Sequence, residues 1–396
     1  MGFLSRNIKR VIAYQRSVKN LSETETGLVS EFGFGEGSVC FVSGNISPKV
    51  LEYLASSGVT LRKEDLSAES IRSCYEDIPS GSCVLALVEG KPIEEIFSVK
   101  AETGLEGYIY IPYPNSVNVV QVFEYESIPG DDELRSPLLI NKASSSDDCK
   151  LLVFCKDNPA VIKSVKFNTM RAPAFRVNTV IISDQSGKKV LKRAGCKEAL
   201  KHIKRIADNK GLLSEAYSSV VPADCVLNGD ELEIKFIEGE DLLKGTDLAN
   251  DPLDKIRDDI RKVMDEILDY KKTPSDFEET EQFKLNFPGI HPKASEKSLP
   301  VINLDSNIDN FKKVGDKVVC IDYEWTVSFP LPIRYVEFRT LHFYYKNNAK
   351  VLSPRISRID FIKLFGFSSE DIKTFFNMEL CFQQYVEGLG DKGSKF

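Results

Sequence analysis

Two short apolar runs, 301–304 and 318–321, each end on an aspartate, Asp305 and Asp322. Asn310 lies five positions after the first aspartate and twelve before the second, and the stretch KKVGDK between them supplies a turn. Short apolar runs bounded by turn signals are typical of buried strands. Carboxylate and amide oxygens are ligands that Mg²⁺ prefers. We therefore expect an acidic site at the ends of two short strands.

Length, composition and charge exclude several classes of protein. The chain has 396 residues, enough for two or three domains, and 42% of them are hydrophobic. No run of eighteen apolar residues is present, which predicts no transmembrane segment. A net charge of −7 argues against a nucleic-acid partner. The basic stretch 1–20 lacks the long apolar core of a signal peptide. We expect a cytoplasmic protein, and peripheral attachment to the inner face of the membrane stays open.

The nine cysteines are scattered and include no CxxC pair. This spacing favours reduced thiols over a disulfide framework or a zinc site.

Residues 1–150 alternate between strand and helix patterns. A buried-strand run, GSVCFVSGN, precedes a helix predicted to have Ser47 as its N-cap, Pro48 at its first position and Gly58 at its end. The next strand ends on Asp65, and this order resembles the start of a Rossmann-type methyltransferase. The turn VSGNISPK retains only Gly44 where such enzymes carry a glycine-rich loop. We predict an α/β Rossmann-like, degenerate methyltransferase-like domain that does not bind S-adenosylmethionine, with a residual methyltransferase as the alternative.

Residues 142–150 are small and polar, which predicts a linker. After it come strand patterns joined by the hairpin signals QSG and NGD, and a helix that we expect Gly211 to end. A second, long helix carries an apolar stripe through Ile256, Ile260 and Ile267. Strands with one helix, a linker, a long helix and two acid-ended strands follow the order of an α+β protein-kinase-like bilobal fold. We predict this domain at 151–396, with an N-lobe at about 151–240 and a C-lobe at about 241–396.

The acidic site then matches the kinase catalytic loop, whose spacing is D-x-x-x-x-N. Under this reading Asp305 takes the proton of the acceptor hydroxyl, and Asn310 and Asp322 hold Mg²⁺. Glu324 either adds a metal contact or supports the loop. Asn303 stands where a kinase usually has His or Tyr.

Five residues are candidates for binding ATP. Lys192 ends the strand KVLK, as the phosphate-binding lysine does in kinases, and Glu198 follows on the next helix four positions before His202. Lys192 and Glu198 are only six positions apart, which leaves their pairing open. The stretch KFIEGEDL at 235–242, with Phe236 and Glu238, looks like the hinge that binds adenine.

Arg171 lies in the stretch TMRAPAF, which has none of the glycines of a kinase phosphate-binding loop. Either Arg171 contacts phosphate there, or the loop is a tight turn around Pro173. Both alternatives stay open.

Aminoglycoside and choline kinases carry strands similar to IDYEW at 321–325. IDYEW together with PLPIRYVEFR more closely resembles bacterial methyltransferase–kinase proteins of surface-polysaccharide loci, such as O-antigen chain-terminating enzymes. The resemblance spans roughly 90–390. It implies a kinase that uses ATP and Mg²⁺ to phosphorylate a hydroxyl of a carbohydrate or lipid-linked glycan, with glycosyltransferases as partners. The alternative is a pseudokinase-like scaffold of polysaccharide biosynthesis.

Overall fold

The computed structural model describes residues 34, 36–63, 66–91, 93–112, 119–124, 150–157, 161–168, 171–184 and 186–389. The chain forms two compact units, 1–199 and 200–396, and both combine β-sheets with helices. The basic stretch 1–20, Asp65 and residues 142–149 of the predicted linker lie outside the described residues. The predicted domain boundaries at 150/151 and 240/241 stay predictions. None of the described helices is long and apolar enough to span a bilayer.

The described part of the first unit contains nine strands and three α-helices. The strands are β1 (Val39–Ser43), β2 (Thr60–Arg62), β3 (Cys83–Val88), β4 (Tyr108–Pro112), β5 (Val119–Glu124), β6 (Lys150–Cys155), β7 (Val161–Lys166), β8 (Val177–Asp184) and β9 (Gly187–Ala194). The helices are α1 (Pro48–Ser56), α2 (Ala68–Asp77) and α3 (Ile93–Thr103), with 3₁₀ turns at Pro173–Phe175 and Lys197–Ala199. As predicted, α1 has Ser47 as its N-cap, and Gly58 follows it with φ of +82°.

Strand β1 lies between two parallel neighbours. It pairs with β2 and β3, with Val39 opposite Thr60 and Val84. Because successive side chains of a strand point to opposite faces, β1 and β3 supply two apolar layers. Cys40 and Leu85 pack with α1 on one face, and Phe41 packs with α2 and α3 on the other. Helices therefore cover both faces of this parallel part of the sheet.

Beyond β3 the sheet of the first unit becomes antiparallel. Its strand order is β9-β8-β7-β5-β4-β6-β3-β1-β2, and every pair from β3–β6 to β8–β9 is antiparallel. The QSG hairpin between β8 and β9 is confirmed. A mixed sheet with helices on its parallel part is established, and the Rossmann-like domain stays a prediction.

The turn after β1 is filled by the chain itself. Gly44 has φ of +94°, and a Cβ at this position would lie 2.6 Å from the Glu89 carbonyl oxygen. The Glu89 N–H also donates to the Ser43 carbonyl at 2.9 Å. The space beside the one glycine of this turn is therefore occupied by backbone.

The prediction of reduced thiols was wrong for one pair, because Cys83 and Cys155 form a disulfide. They are 72 residues apart in sequence but directly opposite each other in the antiparallel β3–β6 pair, with Cα atoms 4.2 Å apart. The other described cysteines carry thiols: Cys40, Cys74, Cys196, Cys225, Cys320 and Cys381. Cysteine spacing could not reveal this pair, because the pairing depends on strand register.

The second unit has seven α-helices and eleven short strands in its described part. The helices are α4 (Leu200–Ala216), α5 (Leu253–Ile267), α6 (Glu281–Asn286), α7 (Ile333–Asn347), α8 (Ala349–Leu352), α9 (Arg358–Lys363) and α10 (Ser369–Val386). The strands are β10 (Val220–Pro222), β11 (Cys225–Asn228), β12 (Glu231–Lys235), β13 (Glu240–Asp241), β14 (Ser275–Asp276), β15 (Lys297–Leu299), β16 (Ile302–Asn303), β17 (Phe311–Val314), β18 (Lys317–Cys320), β19 (Thr326–Val327) and β20 (Leu331–Pro332), with a 3₁₀ turn at Ile308–Asn310.

Short sheets and helices surround the predicted site in this unit. One sheet has the order β10-β18-β17-β13, another β14-β15-β20, and β16 pairs with β19 alone. The NGD hairpin between β11 and β12 and the buried stripe of α5 are confirmed. Helix α4 continues past Gly211 to Ala216, so the predicted end at this glycine was wrong. Leu213 is fully buried beyond it, which extends the apolar face.

Helix α7 is the central helix of the carboxy-terminal core. Most of its residues are buried, as expected for a helix with neighbours on several sides. Phe338 packs against Phe375 and Phe376 of α10, and His342 meets Phe376 edge-on at 5.1 Å between ring centroids. Burial, followed by the positive charge of Arg358, lowers the pKa of His342 to about 4.

We predict that His342 makes the second unit less stable in acid. Its folded pKa of about 4 lies below the ordinary 6.5, so the unfolded chain binds the proton more readily. Stability is therefore fully present above pH 6.5 and is lost as the pH falls toward 4, by up to roughly 3 kcal/mol. Urea unfolding followed by the fluorescence of the single tryptophan, Trp325, measures this unit.

His342→Phe should flatten this pH dependence, because it removes the titrating group from an aromatic environment. His291→Gln is the control, since His291 is exposed and faces Glu279. An equal slope between pH 4 and 6.5 in His342→Phe and wild type would contradict the prediction.

Candidate active site

A two-residue strand pair brings the predicted catalytic segments together. β16 pairs with β19 in antiparallel register, with Asn303 opposite Thr326, and the Leu304 N–H donates to the Trp325 carbonyl at 2.9 Å. The residues after β16 therefore lie beside those before β19. Asp305 follows β16 and Asp322 follows β18, and both are half-buried.

The buried thiol of Cys320 lies within the electric field of both aspartates. Burial raises its pKa well above the usual value, and the negative charges of Asp322 and Asp305 add to the effect. Both carboxylates therefore act on the same buried group. Their role as an acidic site stays a prediction.

Asn303 links the two aspartate segments through its side chain. It is completely buried; its Oδ1 accepts the N–H of Asp305 at 2.9 Å, and its Nδ2 donates to the Asp322 carbonyl at 3.3 Å. An amide offers both an acceptor and a donor without charge, and Asn303 uses one for each segment. The departure from the usual His or Tyr thus has a structural role here. Tyr270 accepts the backbone N–H of the same residue at 3.2 Å.

Asn310 lies across the loop from Asp305. Its Nδ2 donates to the Asp305 carbonyl at 2.9 Å, and its own carbonyl accepts the N–H of Ile321 at 2.8 Å. Because the carbonyl of Asp305 can only accept, the amide nitrogen must face it, and Oδ1 is the end directed elsewhere. The predicted ligand atom is therefore oriented by the loop.

The side-chain oxygens of Asn310 and Asp322 are the proposed Mg²⁺ ligands of this unit. Among the described residues, no group of three or more His, Cys, Asp or Glu side chains could hold a metal ion. Mg²⁺ in phosphoryl-transfer sites needs only one or two protein oxygens, because water and substrate phosphates complete the octahedron. An oriented amide oxygen of Asn310 and the carboxylate of Asp322 fit that requirement.

Helix α4 holds the segment after Asp322 through successive turns. His202 Nε2 lies 2.8 Å from Glu324 Oε1, and both side chains are almost completely buried. Asn209 Nδ2 donates to the carbonyls of Tyr323 and Glu324, each at 3.0 Å, and Arg205 donates to the Thr326 carbonyl at 3.1 Å. This bond to His202 fits Glu324 as a support for the loop. In the sequence these contacts have one weak signal: residues 202, 205 and 209 lie on the same face of a helix.

The predicted adenine hinge is tied to the β17–β18 hairpin. β13 pairs with β17, with Glu240 opposite Lys313, and Lys312 forms an ion pair with Asp241. A Cβ on Gly239 would lie 2.8 Å from the Lys313 carbonyl, so this close approach requires glycine.

Phe236 and Glu238 lie just before that contact, half-buried and exposed respectively. Their adenine-binding role stays a prediction.

The remaining predicted nucleotide ligands lie in the first unit. Lys192 is 3% exposed on β9, opposite Thr179 of β8. Glu198 is exposed in the 3₁₀ turn Lys197–Ala199. Its own backbone N–H and the Cys196 thiol, then the charges of Arg176 and Lys197, lower its pKa. The nucleotide-binding roles of Lys192 and Glu198 stay predictions.

The TMRAPAF loop contains a tight turn, with Arg171 beside it. Residues Pro173–Phe175 form a tight 3₁₀ turn, and the guanidinium of Arg171 donates to the Phe175 carbonyl at 3.4 Å. Arg171 is half-buried beside this turn. Its phosphate contact stays a prediction.

No family of known proteins and no curated protein gives a match to the chain. Among solved structures, a type I macrolide 2′-phosphotransferase is similar over 59% of this chain and 91% of its own, with 10% identity and a TM-score of 0.29. The aminoglycoside phosphotransferase APH(2″)-IIa, solved with streptomycin and ATP, is similar over 54% and 90%, with 12% identity and a TM-score of 0.25. Macrolide 2′-phosphotransferase MphH from Brachybacterium faecium is similar over 58% and 78%, with 11% identity and a TM-score of 0.25.

All three structural neighbours are phosphotransferases, and their TM-scores lie below 0.5.

We predict that Asn303→Ala destabilises the second unit by roughly 2–3 kcal/mol, because it leaves buried backbone groups of two segments without a partner. Asn307→Ala is a matched control in the same loop. Its Oδ1 is buried and has no hydrogen-bond partner among the described residues, so we expect a change below about 1 kcal/mol. Urea unfolding followed by Trp325 fluorescence measures both, and equal losses would refute the role of Asn303.

Proposed function

We propose that this protein is a Mg·ATP-dependent phosphotransferase that acts on a hydroxyl group, through a kinase-like carboxy-terminal domain. One observation supports the proposal: the β16–β19 pair and the buried amide of Asn303 tie the segments of Asp305 and Asp322 to each other, and Asn310 donates to the Asp305 carbonyl. Phosphoryl transfer depends mainly on positioning and charge stabilisation, so a small set of fixed oxygens suffices.

In this mechanism Asn310 and Asp322 would hold Mg²⁺. The ion, when bound, neutralises charge on the nucleotide phosphates. Asp305 accepts a hydrogen bond from the acceptor hydroxyl, orients it and takes its proton. Asn303 fixes the backbone of both aspartates, so the base and the metal ligand keep their relative position.

For the acceptor we propose a sugar hydroxyl of a polysaccharide or lipid-linked glycan. The support is the resemblance of IDYEW and PLPIRYVEFR to methyltransferase–kinase proteins of surface-polysaccharide loci. Glycosyltransferases of the same assembly pathway would then be natural partners. Lys192, Glu198, Arg171, Phe236 and Glu238 keep their predicted nucleotide-binding roles.

We propose that the amino-terminal domain is methyltransferase-like in fold but does not bind S-adenosylmethionine. The support is the turn after β1, where the Glu89 backbone fills the space beside Gly44. A cofactor could approach this turn only if the Glu89 loop moved away. A residual methyltransferase is the alternative.

A pseudokinase-like scaffold is the second candidate. The turn at Pro173–Phe175, in a stretch without glycine, favours it, because a glycine-rich loop usually covers the phosphates in kinases. The assembled Asp305, Asn310 and Asp322 favour the enzyme, since a scaffold needs no such set.

We predict that Mg·ATP stabilises the protein, because a bound nucleotide favours the folded state. At a hundred times its dissociation constant the gain is about 2.7 kcal/mol. A thermal-shift panel of ATP, ADP and S-adenosylmethionine, each with and without Mg²⁺, measures it. We expect a Mg²⁺-dependent shift with the nucleotides and none with S-adenosylmethionine. An absent shift at millimolar ATP would refute nucleotide binding, and a shift with S-adenosylmethionine would restore the methyltransferase.

We predict that Asp305→Asn and Asp322→Asn have different effects on nucleotide binding and turnover. Asp305→Asn keeps the metal ligands, so nucleotide binding survives while turnover falls about a hundred- to ten-thousand-fold. Asp322→Asn removes the charge that faces the metal, so Mg²⁺-dependent binding and turnover both fall. Slow ATP hydrolysis is the first readout. Asp309→Asn is the control, because Asp309 is exposed in the same loop and binds Asn347.

The scaffold would be favoured by a different pattern. Wild type and both variants would then be equally inactive, yet would retain the same partner from polysaccharide assembly.

A further inference from the structure

Helix α7 holds the Asp305 loop through two consecutive side chains. Arg339 donates through Nη1 to the Leu304 carbonyl, and Thr340 Oγ1 donates to the Ser306 carbonyl at 2.7 Å. These carbonyls flank Asp305 on either side. The loop is therefore fixed to the helix at the residues before and after the proposed catalytic acid.

The charge of Arg339 also faces Asp305. Its Nη1 lies 3.9 Å from Asp305 Oδ1, and the side chains of Arg339 and Asp305 are 3% and 16% exposed. At that distance and burial, solvent screens the attraction only weakly.

Glu379 of α10 fixes the guanidinium from the other side. Arg339 Nε donates to Glu379 Oε2 at 2.5 Å, and Tyr335 and Gln383 donate to the same carboxylate at 3.2 and 2.7 Å. Burial alone would raise the pKa of Glu379, but Arg339 and these hydrogen bonds hold it below its usual value. The pair is thus ionised and immobile.

A buried ion pair of this kind is rarely needed for stability. Replacing both ions by apolar side chains of similar volume is often neutral or stabilising, because desolvation offsets the attraction. The contacts of Arg339 with the Leu304 carbonyl and the Asp305 carboxylate offer a different reason for a cation at this position.

We infer that Arg339 is a positioning residue for Asp305: it clamps the loop 304–306 to α7 and α10 and holds a positive charge beside the Asp305 carboxylate. Its effect on turnover rests on the proposed function, whereas its effect on the order of the loop does not. The other titratable and charged groups around this pair are Asp322, Cys320, Tyr335, His342 and Glu379.

The direct test is amide hydrogen exchange of residues 304–306 in the full chain, followed by NMR. In the folded protein the Leu304 N–H donates to the Trp325 carbonyl and the Asp305 N–H to Asn303 Oδ1, so both amides report the order of the loop. Arg339→Met with Glu379→Met removes both buried ions, and we expect these amides to exchange faster than in wild type, because the loop loses its bond to Arg339.

Arg334→Met with Glu337→Met is the matched control. This pair also lies on α7, at 3.1 Å, and its loss changes the same two charges without touching the loop. We expect no change in the amide exchange of residues 304–306. Unchanged exchange in the folded Arg339→Met, Glu379→Met variant would overturn the inference, and so would an equal change in the control.

Turnover separates positioning from charge alone. In the Arg339→Met, Glu379→Met variant we expect the kcat of ATP hydrolysis to fall roughly ten- to a hundred-fold with the KM for ATP unchanged, because a displaced base slows transfer without weakening nucleotide binding. An unchanged kcat would overturn the positioning role. If wild type hydrolyses no ATP, the proposed function fails while the amide exchange of the loop still decides the inference.

Discussion

The pairing of β16 with β19 is the constraint on which the candidate site depends. Only two residues pair on each side, Ile302 with Val327 and Asn303 with Thr326. So short a ladder contributes few hydrogen bonds, and the buried amide of Asn303 adds the bonds that tie Asp305 to Asp322. Both aspartates can then remain half-buried and available to a ligand, because uncharged backbone and amide groups hold their segments in place.

Two helices complete that arrangement from different directions. α4 reaches the segment after Asp322 with His202, Arg205 and Asn209. α7 reaches the loop around Asp305 with Arg339 and Thr340. Long polar side chains on helices are suited to this task, because a helix is rigid and its buried side chains lose little further freedom on binding. The buried charge of Arg339 is tolerated because Glu379 is its partner, and the buried polar groups of His202 and Glu324 satisfy each other.

The first unit shows how strand alternation builds a mixed sheet. β1 and β3 carry apolar residues toward both faces, so helices can cover each face of the parallel part. The turn after β1 closes when the Glu89 backbone packs against Gly44. A turn packed in this way is a structural element of the sheet, and its glycine is explained without any cofactor.

The sequence by itself determined the features that depend on local pattern. The bounds of α1, the hairpins at QSG and NGD, the stripe of α5 and the acid-ended strands were all predicted, because caps, turn residues and apolar spacing act within a few residues.

Only the tertiary structure decided the Cys83–Cys155 disulfide, the exposure of Glu198, the continuation of α4 through Gly211, and the reach of Arg339 from α7 to the Asp305 loop. Each of these depends on strand register or on packing between distant segments. Contacts of this kind produce no periodic pattern in the sequence. The packing of whole elements decides which residues meet, and the residues next to them in the chain do not.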